Sequence, residues 1–235
     1  MNLIRKGHWH AHRGVIGIES AIVLIAFVIV AAALAFVVLN MGFATTQKAK
    51  TSITSALSEA GSSLLVSGKI IGGSINSADN MTAIMIPIKL TSGGDTVDLN
   101  TTRATVSFLA NDVEYDNVYT NACTINGAEY ATPAAAWQAG VGAGSCIPAN
   151  VNNPINGTTG PILTTAIIYW AVDEGDFNTI LEQGEHAVLS LGFNRTNDAP
   201  VSLDKIKIEL TVTGGATLTI ERNIPNISSR VIDLG

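Results

Sequence analysis

Ala21–Leu39 reads AIVLIAFVIVAAALAFVVL, nineteen residues with no charge and no strongly polar side chain. In a helix rising about 1.5 Å per residue, about 20 such residues cross the hydrocarbon of a bilayer. The run is apolar on every side, so it is not the amphipathic helix of an ordinary soluble domain. It must be surrounded by lipid or by copies of itself, and it divides the chain into a short N-terminal stub and a long C-terminal remainder.

Arg5, Lys6 and Arg13 all lie before Gly14. Removing residues 1–14 takes away three basic residues and no acidic one, so the formal charge moves from −6 to −9. A positive stub ahead of a long apolar run holds an N-terminus on the cytoplasmic side. Three readings compete. A secretory signal peptide is disfavoured by the length of the run and by Asn40-Met41-Gly42-Phe43, which lacks a small-x-small cleavage pattern. A permanent single-span anchor stays open on hydropathy alone. The third reading is a class III signal, cut before the run so that the run is retained.

Local residues favour the third. Arg13-Gly14 directly precedes Val15-Ile16-Gly17-Ile18-Glu19, and a small Gly14 lets a protease reach the backbone at the membrane face. The other basic-glycine pair, Lys6-Gly7, is followed by polar His8-Trp9-His10. Glu19 stands out, because a carboxylate beside such a run is costly unless paired. A cut after Gly14 creates an amine on Val15, in cis or on a neighbouring copy, for it to pair with. The first turns of a helix also favour negative charge. The bland reading is a Glu that reaches the headgroup layer.

Beyond Phe43 the pattern turns amphipathic. Ile53, Leu57, Ala60 and Leu64 recur at helical spacing, with Lys48, Ser52, Ser55 and Glu59 off the stripe. The helix is expected to end near Ser67-Gly68, before Gly72-Gly73. Thereafter Thr-, Val- and Ile-rich runs recur at Ala83–Leu90, Arg103–Leu109, Leu163–Val172, Ala187–Phe193, Lys205–Val212 and Thr217–Glu221. Turn residues separate them at Gly93-Gly94-Asp95, Asn194–Pro200 and Gly214-Gly215. The class expected is α+β: a leader over 1–14, a hydrophobic then amphipathic helix over 15–68, and an antiparallel Ig-like β-sandwich over 69–235. Residues 120–160, rich in Ala, Gly and Asn, read as a long surface excursion. Cys123 and Cys146 are expected to staple it as a disulfide if the domain is exported, contributing about 3 kcal/mol by chain entropy; two buried free thiols are the other reading.

Charged residues are 14% of the chain, and the pI is near 5.1, with no basic stripe, so nucleic acid is excluded as a partner. No GxxxxGK[ST], GxGxxG, HExxH or GxSxG occurs, and no nucleophile–base pair points to an enzyme. His8, His10 and His12 lie in the leader; His186 reads as an ordinary strand residue. Asp173-Glu174-Gly175-Asp176 with Asn178 has the ligands for Ca²⁺ but not the EF-hand spacing, and reads more simply as a solvated turn, so no metal is expected. Sequons at Asn80, Asn100, Asn156, Asn194 and Asn226 are candidates for N-linked glycans on an exported domain, though a Ser/Thr-rich chain produces some by chance.

Arg13-Gly14-Val15-Ile16-Gly17 with the apolar run resembles the cleavage region of archaellins, the archaeal flagellins of the type IV pilin-like superfamily. Asn40–Phe43 with Gln47-Lys48-Ala49-Lys50, the segment Thr82–Asn100, the turn Glu182-Gln183-Gly184-Glu185, and Arg230–Leu234 are similar as well. The likeness is strong over about residues 13–110 and looser but collinear beyond. It implies a structural subunit that a prepilin-type peptidase cuts after Gly14. It implies a passage from the cytoplasmic membrane, through a membrane assembly platform, into an extracellular swimming filament. There it polymerises through its helix, with other archaellins as further partners. An archaeal adhesion pilin would share the leader and the helix, and a membrane-retained surface-binding sandwich would keep the leader uncut.

Overall fold

A computed structural model describes residues 13–61, 64–75, 80–111, 113–119, 124–125, 129–142, 147, 152–156, 160–194, 196, 198–215 and 217–235. Helix α1 runs over Arg13–Gly61, 49 residues without a proline. Its many Val and Ile residues are indifferent helix formers in water. In apolar surroundings every backbone group needs an internal partner, and away from its two ends the helix supplies one to each. Contacts divide the chain into one compact unit ending at Thr54 and a second comprising Ser55–Gly235.

The expected end of the helix at Ser67-Gly68 is corrected. Gly61 closes α1, and Leu64–Val66 form strand β1, antiparallel to Ile88–Leu90. Leu64 continues the helical stripe in sequence, but its neighbours Leu65 and Val66 complete a sheet edge, and that pairing wins.

Next in the chain are strands β2 (Ile71–Gly73), β3 (Ala83–Leu90), β4 (Val97–Asp98), β5 (Ala104–Leu109), β6 (Glu114–Tyr115) and β7 (Thr124–Ile125). After helix α2 (Pro133–Gly142) come β8 (Thr165–Val172), β9 (Ile180–Leu181), β10 (His186–Gly192), β11 (Lys205–Val212), β12 (Leu218–Asn223) and β13 (Val231–Asp233). One sheet has the order β13-β2-β3-β10-β8-β7, with β1 on the same edge of β3 as β2; the other has the order β12-β11-β5-β6; β4 and β9 pair separately. Ile84, Ile86 and Ile88 of β3 lie opposite Leu191, Leu189 and Ala187 of β10, all buried. Val106 and Phe108 of β5 with Ile208 and Leu210 of β11 line the facing side of the second sheet. Phe108 meets Phe193 across the sandwich at 4.8 Å between ring centroids.

Residues 120–160 depart from the surface excursion expected of them. Thr132 caps α2 through its hydroxyl, which accepts from the Ala135 N–H at 3.4 Å, and Pro133 occupies the first helical position. Trp137 is fully buried on the side of the large sheet away from the sandwich core, and its Nε1–H donates to Ser190 Oγ at 2.8 Å. Strand β10 is therefore covered on both faces. The segment also produces a parallel pair, β7 with β8, in an otherwise antiparallel sheet. Parallel neighbours need a long crossover, and α2 lies within it.

Candidate functional site

From Gly17 to Leu57 helix α1 is long and apolar enough to cross a membrane, and none of it is buried within the single chain. Phe27 is 74% exposed and Val38 69%. So large an apolar surface marks an interaction site. Across these residues the charges are Glu19, Lys48 and Lys50 alone. The threonine hydroxyls of the distal half turn back on the helix. Thr45 donates to Met41 O at 2.7 Å, Thr46 to Gly42 O at 2.5 Å and Thr54 to Lys50 O at 2.6 Å. Such groups need no outside partner, so this half can pack against another helix without water. A Cβ built on Gly17 or Gly42 would meet nothing within 4 Å, so neither glycine is required by packing inside the subunit.

At one end of the sandwich the carboxylates of Asp173, Asp176 and Glu185 bring oxygens within 4.8 Å of one another. Glu185, the buried member, already accepts hydrogen bonds from Trp170 Nε1–H at 3.2 Å, Glu182 N–H at 2.9 Å and Glu174 N–H at 3.3 Å. Burial pushes its carboxyl above the usual carboxylate range against the pull of those donors. Asp173 accepts from Gly175 N–H, as expected of a self-contained acidic turn. This knot closes the connection between β8 and β10. Nearby, His186 lies half-buried with Nδ1 3.4 Å from Ser67 Oγ, a strand residue tied to the end of β1.

The family model for archaeal-type flagellin matches residues 14–222. The chain belongs to the archaeal-type flagellin family. Probable flagellin 1 of Aeropyrum pernix is 38% identical over 213 residues, covering 91% of this chain and 92% of that protein. Probable flagellin 2 of Archaeoglobus fulgidus is 28% identical over 91% and 90% of the two chains. The fold is that of the archaeal flagellum of Methanospirillum hungatei strain JF1, with a TM-score of 0.60 and 21% identity over 93% of this chain and 99% of that one. It is also that of the archaeal flagellin FlaB1 from Methanocaldococcus jannaschii, with a TM-score of 0.55 and 16% identity over 74% and 96%. The archaellin is thus a structural subunit of an extracellular surface filament and not an enzyme. The swimming filament is favoured over the adhesion pilin.

The other expected site residues of the archaellin are spread along the chain. Cys123 and Cys146, of which a disulfide is expected, lie outside the described residues. Arg13, Gly14 and Val15 begin the backbone of α1. Glu19 is exposed, and no ion pair among the described residues includes it. The sequons are unequal. Thr82, which completes the Asn80 sequon, is 2% exposed, with its hydroxyl 2.7 Å from Pro154 O. Thr102, which completes the Asn100 sequon, is exposed and reaches Asn100 Oδ1 at 3.1 Å through both its N–H and its hydroxyl. In the Asn194 sequon, Thr196 is exposed and its N–H donates to Asn194 Oδ1 at 3.1 Å. Asn156 and Asn226 are exposed.

Proposed function

We propose that a prepilin-type peptidase cuts this archaellin after Gly14 and that the new Val15 amine pairs with Glu19. The precursor sits transiently in the cytoplasmic membrane. A membrane assembly platform then moves the helix from lipid into the base of a growing filament. Helices from Val15 onward form the core, alone or with other archaellins, and the sandwich coats the outside of a filament that rotates for swimming. The observation that carries this is the exposure of the whole of Gly17–Leu57 in the single chain. Lipid is as apolar as that surface, so transfer into a bundle gains mainly from closer packing and interhelical contact. Carboxylate–amine pairing then leaves no unpaired negative charge on Gly17–Leu57.

The deciding experiment labels surface lysines of living cells and scores filament motion frame by frame. Rotating labelled filaments containing this chain support the propeller; straight filaments that never rotate support adhesion. Gly14→Val is expected to leave a heavier, membrane-retained precursor, seen by immunoblot of fractionated cells, because a β-branched residue obstructs the cut; normal filaments from that variant overturn the cleavage site. Glu19→Ala is expected to lower filament yield while the N-terminus is still cut, as read by N-terminal sequencing. An unchanged yield removes the pairing argument.

For the outer surface, N-linked glycans are expected at one or more of Asn100, Asn156, Asn194 and Asn226, and not at Asn80, whose sequon threonine is sealed in the core. Peptide mass spectrometry of sheared filaments checks this, and a glycan on Asn80 contradicts it.

A further inference from the structure

Asn100 stands on a fixed turn. Its N–H donates to Asp98 Oδ1 at 3.0 Å, and its C=O accepts from the N–H groups of Arg103 and Ala104, each at 2.8 Å. Its side-chain Oδ1 accepts from the Thr102 N–H and hydroxyl, both at 3.1 Å. That leaves Nδ2, the atom to which a sequon glycan is joined, without a partner among the described residues.

The same turn contributes to a groove of about 380 Å³. Asp98 and Arg103 line it from the Asn100 side, Asp95 from ahead of β4, and Thr213 from the connection between β11 and β12. Ile180 of β9 and Val212 of β11 add apolar surface. The lining is held in place by its own bonds. Thr213 donates to Arg103 O through its N–H at 2.8 Å and its hydroxyl at 2.9 Å. Asp98 accepts from the Thr179 hydroxyl at 3.0 Å and pairs with Arg103 Nε at 3.3 Å.

The groove keeps hydrogen-bonding capacity to spare. The Asp95 carboxylate has no partner among the described residues. Arg103 engages Asp98 through Nε, and its forked Nη groups are further donors on an exposed side chain. A carboxylate acceptor in one groove with guanidinium donors suits a hydroxyl, which donates and accepts at once. Two carboxylates against one guanidinium leave the lining net negative, which disfavours an anion. A few polar groups fixed around apolar surface, here Ile180 and Val212, complete the chemistry of a site for a neutral saccharide. Asn100 lies two residues from Asp98 and three from Arg103, so a sugar on its Nδ2 starts beside the groove.

We propose that Asn100 carries an N-linked glycan whose first sugars lie in this groove, held by Asp95, Arg103 and Thr213. This rests on the expectation of glycans on an exported filament subunit, and names one carrier and the seat of its sugar. In the joining step the bond from Nδ2 to the anomeric carbon forms as the bond from that carbon to the phosphate of an activated saccharide breaks. The phosphate leaves with the electron pair, and Nδ2 gives up one proton. A tethered sugar binds its groove intramolecularly, so a few weak hydrogen bonds suffice to hold it.

The test disperses filaments sheared from cells in detergent and follows peptides and amide exchange by mass spectrometry. The parent is expected to carry a glycan on the Asn100 peptide. Its amides over 95–98 and 213–215 are expected to exchange on the order of tenfold more slowly than in Asn100→Gln. Asp95→Ala is expected to keep the glycan and lose most of that slowing, and to change nothing further when added to Asn100→Gln. A bare Asn100 beside glycans at other sequons overturns this proposal alone; a chain bare at every sequon overturns the glycan expectation too. Equal exchange in the parent and Asn100→Gln shows that the glycan stands in solvent or that a saccharide from elsewhere fills the groove, and either overturns the assignment. Full protection in Asp95→Ala overturns the seat. Filaments that lack this chain overturn the subunit reading instead.

Discussion

Val30→Asp is expected to leave cells without filaments, while the outer domain remains folded. Val30 sits near the middle of the uncharged run, 57% exposed on a helix whose other faces are as apolar as its own. An aspartate at the centre of a membrane-spanning helix costs about 2.5–3.5 kcal/mol even in permissive insertion measurements. In a packed bundle the penalty recurs at each copy, and a carboxylate there lacks a partner on its own helix, since the basic side chains on either side, Arg13 and Lys48, lie 17 and 18 residues away (30 minus 13; 48 minus 30). Val30→Leu keeps the apolar surface and is expected to assemble. Electron microscopy of sheared cell supernatants, with an immunoblot of the membrane fraction, reads both variants. Val30→Asp filaments at parental yield would mean that the helix surface is not the assembly surface.

The second large effect is expected inside the outer domain. Trp137→Ala is expected to destabilise it by about 3–5 kcal/mol, the range for deleting a fully buried aromatic side chain. The indole is completely enclosed, and its loss leaves the buried Ser190 hydroxyl without its donor. The site is also tight. A Cβ on Gly192 would lie 2.8 Å from Trp137 Cη2 and 3.2 Å from Pro154 Cγ. Gly192→Ala alone is therefore expected to overpack by about 1–3 kcal/mol. In the double variant the new methyl enters space vacated by the indole, so the losses add to less than their sum. Denaturant unfolding of the detergent-solubilised chain measures all three, and a loss below about 1 kcal/mol for Trp137→Ala would show that α2 is not part of the core.

These residues also show where sequence reading succeeds. Ala83–Leu90 and Lys205–Val212 were legible as strands to the residue, because one side of each faces a core and the alternation is written into the chain. The apolar helix was legible because nothing but lipid or copies of itself can surround it. Helix α2 was not, since PAAAWQAGVG has no one-sided pattern: both its small residues and its tryptophan pack closely onto a sheet. Its signals were Thr132-Pro133 at the start and a tryptophan in a run of alanines. Strand β1 was hidden because Leu64 continues the helical spacing, although Gly61 marked the stop.

One further feature bears on the order in which the molecule is made. β13, the last described strand of the outer domain, completes the sheet beside β2, among its first. Ile232 and Leu234 are buried there, Leu234 N–H donates to Ile70 O at 2.9 Å, and Lys69 pairs with Asp233. β3 in turn finds its long partner β10 only after some hundred residues of intervening chain (186 minus 90 is 96). The apolar helix precedes the sandwich in the chain and is made before it, whereas the sandwich stays open until β13 has been made. On the proposed passage through the membrane, capture by the bilayer would precede completion of the domain, and a nascent chain truncated before Val231 would reach the membrane with an unfinished sheet edge, a ready target for strand pairing with its neighbours and for quality-control proteolysis.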